Sequence, residues 1–452
     1  MFNLLVTLLF FIIALSILVC FHEFGHFIVA RLLGVKVLRF SVGFGRPFLR
    51  YMSKSGTEYV ISALPLGGYV KMLDETEGKV APEELSGAFN RKPVGVRIAI
   101  VLAGPLFNII LAVILYWLVF VIGIVGIVPI IGYVFPESIA QQAGLQVNDR
   151  IATIGQQRVS TWNDVNLALL SHLGSKSSLS IGVQNTVSHV FSSHRLNLSA
   201  WNVDPLHPKP LKSLGIHPFQ PKVLPIVGKV FLNSPATLAG LQPGDQILQI
   251  DNQPIKDWQQ MRAVVDYYGD HKLNLLVLRK HQKIYLKITP KQTADGKKGA
   301  YLGIESSLAE FPPQYLRTEK YSLLQAWQPA VIKTWTMIHL TFDLLIKMIV
   351  GDVSIKTMSG PIGIAQGAGM SASYGLSTFL DFLALMSISL GVLNILPIPV
   401  LDGGHLLFYL IELVRGKPVS LRSRQISMQI GLLLLLALVF FAFYNDFNRI
   451  LS

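Results

Sequence analysis

Residues 21 to 26 read Phe-His-Glu-Phe-Gly-His. Residues four apart on an α-helix lie one above the other on the same face, so His22 and His26 can offer two imidazoles to one metal ion. Glu23 is rotated by about 100° from His22, which takes it out of the coordination sphere and turns it toward a water on that metal. The H-E-x-x-H spacing suits metal-assisted hydrolysis, in which zinc lowers the pKa of water and the glutamate takes its proton. A catalytic zinc needs a third protein ligand and one open position. Asp402, in the stretch NILPIPVLDGG from Asn394 to Gly404, is the natural third ligand. His405 is the rival, three residues further on, although it begins a new apolar helical run where packing accounts for it.

The setting of the motif is unusual. No charged residue occurs between Phe2 and Cys20, the apolar run continues to Ala30, and the first charge after the motif is Arg31. Ionisable groups inside such a run are costly unless paired or functional, which argues against mere decoration at the end of a span. Of the 452 residues, 51% are hydrophobic and only 14% charged, the balance of a membrane protein. The first segment lacks the basic n-region and cleavage site of a signal peptide and reads as a retained span. Stretches long enough to cross the hydrocarbon, about 20 residues, occur near 4–30, 98–122, 376–400 and 427–444. A fifth candidate, 322–350, carries Lys333, His339, Asp343 and Lys347 at helical spacing and reads as an amphipathic helix at the interface.

The net charge of +13 is concentrated in loops, which points away from nucleic acid. Arg31 to Arg97 holds eleven Lys/Arg against six Asp/Glu, and the link after the third span adds Arg415, Lys417, Arg422 and Arg424. The positive-inside rule makes these loops cytoplasmic, leaving both termini and the region 125–320 on the outer side. From an outer start at Leu4, a rise of 1.5 Å per residue puts His22 about 27 Å deep, and Asp402, entering from the same side, reaches a similar depth. Pro397 and Pro399 break the third span there, which is tolerated at membrane depth only where backbone is buried or lines a wet cavity. The lone cysteine, Cys20, excludes an internal disulfide.

The outer region repeats itself. Ser138 to Ile151 (SIAQQAGLQVNDRI) aligns with Ser234 to Ile247 (SPATLAGLQPGDQI), and the same offset relates Gly132 to Gly228 and Trp162 to Trp258. Each copy reads as short strands around a small helix, with an Asn-Asp or Gly-Asp turn leading into an apolar strand. The pattern resembles circularly permuted PDZ domains, and that resemblance implies carboxylate-binding loops at Leu214-Gly215-Ile216 and Leu302-Gly303-Ile304 that could take peptide C-termini. The alternative is that the copies fill space and exclude bulky proteins. On the inner side, Thr57 to Met72 (TEYVISALPLGGYVKM) combines strand-forming residues with a Pro-Leu-Gly-Gly break. It reads as a hairpin or re-entrant loop, either with an edge for an extended substrate or as a cytoplasmic hairpin away from the chemistry.

HEFGH, NILPIPVLDGG, the segment carrying Gly104, Pro105 and Asn108, and inserted PDZ-like copies together resemble the site-2 protease family of intramembrane metalloproteases. The resemblance covers essentially the whole chain. It implies one Zn2+ held by His22, His26 and Asp402, Glu23 as general base and later proton donor, and Asn394 holding substrate backbone or the oxyanion. It also implies substrate contacts along Gly67, Gly68, Tyr69, Pro397 and Pro399. Expected substrates are single-pass membrane proteins already trimmed on the periplasmic side, of the anti-sigma-factor type in envelope-stress signalling, and signal-peptide remnants. The expected location is the bacterial inner membrane, with the active site toward the cytoplasm. Two other classes compete: a membrane-embedded metal transporter, and a PDZ scaffold anchored by its spans.

The expected fold is a polytopic α-helical membrane protein with four transmembrane helices, a membrane-associated β-hairpin region and two periplasmic PDZ domains. The expected segments are 1–32 (first span), 33–96 (β region), 97–124 (second span), and 125–220 and 221–310 (the PDZ pair). After them come 311–375 (linker and amphipathic helix), 376–414 (third span), 415–426 (link) and 427–446 (fourth span).

Overall fold

The computed structural model describes residues 4–76, 78–203, 209–221, 223–268, 271–292, 300–307 and 312–451. The expected end of the second outer domain, at 310, lies outside the described residues. Among those described, four helices are long and apolar enough to cross a membrane. Two come early: α1 (Leu4–Leu32), and α2 (Val94–Ile122), which starts after Pro93 and is ended by Gly123. Five further helices matter to the architecture: α3 (Trp162–Leu170) and α4 (Trp258–Tyr268) in the repeats, then α5 (Trp327–Val350), α6 (Pro361–Ser373) and α7 (Leu376–Ile395). The chain closes with α8 (Asp402–Arg415) and α9 (Leu421–Leu451). The long apolar helices are α1, α2, α7 and α9.

Residues of α1, α2, α5, α6 and α7 share one core, with Leu18, Leu111, Tyr116, Met337, Ala368 and Ile388 all buried. Close approach of α1 to α2 depends on Gly25, where a methyl group would sit 2.5 Å from the Ala103 carbonyl oxygen. Toward the basic end, Arg97 donates both terminal nitrogens to Glu412 at 3.2 and 2.7 Å and lies over the Tyr409 ring, tying α2 to α8. Arg424, at the start of α9, stands 3.6 Å from the same carboxylate.

Three expected segments take a more detailed form. The stretch 376–414 is two helices on either side of the expected proline break, because Pro397 disfavours helical backbone at the preceding residue and ends α7. The link after α8 is shorter than expected, since α9 already begins at Leu421. The linker before α7 contains a second helix, α6, started by Pro361 at its first position and held by Asp446 of α9, which accepts from the Gly360, Ile362 and Gly363 N–H groups.

The inner β region also needs correcting. Thr57 to Met72 is not a hairpin by itself: Glu58–Met72 (β2) is one strand, and its partner is Val37–Met52 (β1), which lies in the expected 33–96 β region but outside the expected hairpin. The reversal lies at Ser53 to Thr57, with Gly56 at φ 79°, while Gly67, expected to break the chain, only bends β2. Both strands fold over so far that Phe40 pairs with Val70 on one side and Tyr59 on the other.

The two outer repeats have the same element order. The first sheet runs Gln157–Arg158, Asp149–Ile154, Ser178–Asn185, Phe191–Asn197, and the second runs Gln253–Pro254, Gln246–Ile250, Leu273–Arg279, Gln282–Ile288. Each has its own core, around Ile151, Val165 and Ile181 in the first and Ile247, Val264 and Leu275 in the second. Ser138 and Ser234 cap the short helices by accepting from Gln141 and Thr237 N–H groups. Asn148 and Gly244 occupy the matched left-handed turn, at φ 70° and 91°, which explains why Asn and Gly alternate there.

Candidate metal centre

Asp402, His22 and His26 meet. His22 Nε2 lies 3.3 Å from His26 Nε2 and 3.1 Å from Asp402 Oδ2, and His26 Nε2 lies 3.5 Å from that same oxygen. Donors at about 2.1 Å from one tetrahedral ion stand about 3.4 Å apart, so the three separations match a shared zinc. Asp402 Oδ2 is buried and makes no hydrogen bond, which leaves a carboxylate lone pair aimed at the imidazoles. Two imidazoles and a carboxylate are a catalytic-type donor set, and the site fits zinc. Among the described residues, this is the group of His, Cys, Asp and Glu side chains placed to hold a metal. His405 stands outside it, with its ring edge toward Phe408.

The local sequence explains the convergence. The 396–401 loop curls over the first turn of α8, and Gly403 and Gly404 are required because a methyl group at either would strike backbone of residues 395 to 399. Val400 is forced to φ 92°, strained for a β-branched residue, so the loop stores strain beside the site. Its Pro399 carbonyl packs against Gly431 of α9. On α2, Gly104 faces both imidazoles, and His26 Nδ1 donates to the Ile100 carbonyl at 2.8 Å.

Glu23 sits one residue from His22 yet outside the trio, and it is half-buried. Gly68 of β2 packs closely on α1, where a methyl group would lie 2.9 Å from Val19 Cγ1 and 3.0 Å from Glu23 Cγ. Tyr69 receives a bond from Arg39 and stacks on Phe44, and Gly67 lies against that same Phe44 ring. Asn394 is buried at the end of α7, and Pro397 and Pro399 lie in the loop that follows.

The outer residues are far from this cluster in the chain. Gly303 lines a cleft of about 690 Å³ with Phe231, Met261, Val265 and Leu302. Gly215, at φ 85°, packs on Ser138, and the neighbouring Ile216 lines a cleft of about 590 Å³. Sequence reasoning gave no role to Gly104 or Asn108 beyond their motif; their signal was a small and an amide residue four apart on an apolar helix.

A family model described as Peptidase family M50 matches residues 10–438. The chain belongs to peptidase family M50. It is 43% identical over 451 residues to the regulator of sigma E protease of Salmonella typhi, covering 100% of both chains. It is 42% identical to the Escherichia coli K12 regulator of sigma-E protease, covering 97% of this chain and 98% of that one. A putative zinc metalloprotease of Vibrio cholerae is 41% identical, with the same coverage. Among solved structures, the PDZ domain of an SdrC-like protein from Listeria innocua matches 19% of this chain and 97% of its own, at 20% identity and a TM-score of 0.18. As an M50 peptidase the protein is a zinc metalloprotease of the site-2 type. Membership in M50 supports neither a metal transporter nor a peptide-binding scaffold.

Proposed function

We propose that this M50 peptidase cuts the transmembrane segments of single-pass proteins in the bacterial inner membrane, after their periplasmic parts have been trimmed. The observation that carries the reading is the meeting of His22, His26 and Asp402 beside a half-buried Glu23 among helices apolar enough to span a membrane. Relatives named as regulators of sigma E support an anti-sigma factor as one substrate. Signal-peptide remnants, which share the single apolar helix, are a second.

In this reading His22, His26 and Asp402 hold the zinc. Bound there, the ion supplies Lewis acidity and lowers the pKa of water. Glu23 takes the proton from the attacking water and later delivers it to the departing amide nitrogen. Asn394 donates its amide to the substrate backbone or to the developing oxyanion. A transmembrane helix hides its carbonyls in its own hydrogen bonds and must be unwound before it can be cut. The β2 edge at Gly67, Gly68 and Tyr69 takes up the freed strand, and Pro397 and Pro399 shape the opposite wall.

Membranes from cells expressing the active enzyme or Asp402→Ala, compared by quantitative proteomics, test the function. Shortened single-pass fragments should accumulate in the variant. Identical fragment populations in the two would remove the proposed activity.

The charge distribution supports periplasmic termini and a periplasmic pair of repeats, with the metal nearer the cytoplasm. The repeats are two PDZ domains acting as a size filter, with the cleft at Gly303 open to a peptide C-terminus. Deleting residues 127–308 leaves every proposed ligand and Glu23 in place. The deletion is therefore expected to retain zinc and to allow cutting of untrimmed substrates at a rate within about tenfold of that for trimmed ones. Cleavage of both substrate forms by the purified deletion enzyme is the measurement. A zinc-loaded deletion enzyme that cuts neither would make the repeats a required receptor and sink the filter.

A further inference from the structure

We infer that Asn108 is a positioning residue that fixes the tautomer of His22, by accepting a hydrogen bond from its Nδ1–H through Oδ1. The inference rests on the proposed assignment of His22 as a zinc ligand and adds a residue to it.

Asn108 is completely buried on α2. Its Nδ2 is placed 3.0 Å from His22 Nδ1, and its Oδ1, at the other end of the amide, is buried with no hydrogen-bond partner. The two ends of an amide have the same shape, so the orientation is decided by what each end can bond. A neutral imidazole that gives its Nε2 lone pair to a metal carries its proton on Nδ1 and needs an acceptor there. With Nδ2 toward His22, two donors would face each other while the acceptor stays without a donor. With Oδ1 toward His22, the orphaned acceptor meets the Nδ1–H.

The second imidazole is held in the same way. His26 Nδ1 contacts the Ile100 carbonyl at 2.8 Å, and a carbonyl can only accept, so His26 is protonated at Nδ1 and free at Nε2. Both acceptors come from α2, one from its backbone and one from Asn108. The backbone that carries the amide is held from α7: Ser387 Oγ donates to the Asn108 main-chain carbonyl at 2.7 Å, and Gly391 leaves just enough room for the Asn108 Cβ. A tautomer lock of this kind holds Nε2 toward the metal before the metal arrives.

The test is zinc affinity by chelator competition on the full-length protein in detergent, for wild type, Asn108→Leu, Asn108→Asp and His22→Ala. Leucine keeps the volume and removes the acceptor, and its affinity should fall by about 10- to 100-fold. Aspartate keeps an acceptor at the same place and should stay within about threefold of wild type. A purely space-filling role predicts the opposite order, with leucine tolerated and a buried carboxylate not. The proposal is overturned if leucine binds zinc as wild type does, or if aspartate falls by more than about tenfold; the aspartate result alone decides should the leucine variant not fold. Wild-type affinity in His22→Ala would instead remove the ligand assignment itself, so the two failures read differently.

Discussion

In Glu23→Gln, cleavage of a transmembrane substrate is expected to fall by about 10²- to 10⁴-fold, the usual contribution of a positioned general acid and base, while one zinc per chain remains bound. The residue stands outside the His22, His26 and Asp402 trio, so its loss leaves the donor set complete. Glutamine has the same shape and keeps the Cγ that packs beside Gly68, so the contact between α1 and β2 survives. What disappears is the ability to take a proton from water and return it to the leaving nitrogen. Single-turnover cleavage in detergent, paired with metal analysis of the same sample, separates the two effects. Activity within about threefold of wild type would end the proton-transfer role, and loss of zinc would make Glu23 part of the metal site.

The chemistry was legible because a membrane makes polarity conspicuous. His22, Glu23 and His26 interrupt a run that is otherwise apolar, and their spacing states which two can share an ion. Bringing Asp402 to them required only the depth that each segment reaches from its own side. The outer repeats were legible for a different reason: a fixed offset between Trp162 and Trp258 reports two copies of one unit, whatever its fold.

What the sequence hid were contacts whose cause lies in another segment. Nothing around Thr57 to Met72 announces that its partner is Val37–Met52, because β1 is rich in Arg, Phe and Gly and lacks clean alternation. The short helix α6 has a composition of Gly, Ala and Ser that reads as linker, and its helix start depends on Asp446 more than 80 residues away. Arg97 entered only as one of the basic residues of the inner loop, and its pairing with Glu412, 315 residues away, comes from the fold. The role of glycine on α2 was invisible for the same reason, since the space it leaves is used by another helix.

That space supports the second large effect. Gly104→Ala is expected to lower zinc affinity by at least about 100-fold, as much as the loss of a well-placed supporting contact or more, and to abolish cleavage with it. A methyl group there would overlap His26 Nε2, the atom proposed to bind the metal, and would sit 2.6 Å from His26 Cε1 and 2.8 Å from His22 Cε1. Neither ring can retreat freely, because His26 Nδ1 is tied to Ile100 and His22 Nδ1 to Asn108 on the same helix that carries the methyl. Nor can the helices simply part, since Gly25 is seated on Ala103 one residue away. Gly95→Ala is the matched control: it lies in the same helix with open space around it, and alanine should raise helix stability there by up to about 1 kcal/mol. Zinc titration of both variants, alongside their melting curves in chelator, distinguishes a crowded metal site from a weakened α2. If Gly104→Ala keeps wild-type zinc affinity, then either the imidazoles stand elsewhere when the metal is bound or α1 and α2 are less tightly joined than Gly25 implies, and the site as drawn would have to be abandoned.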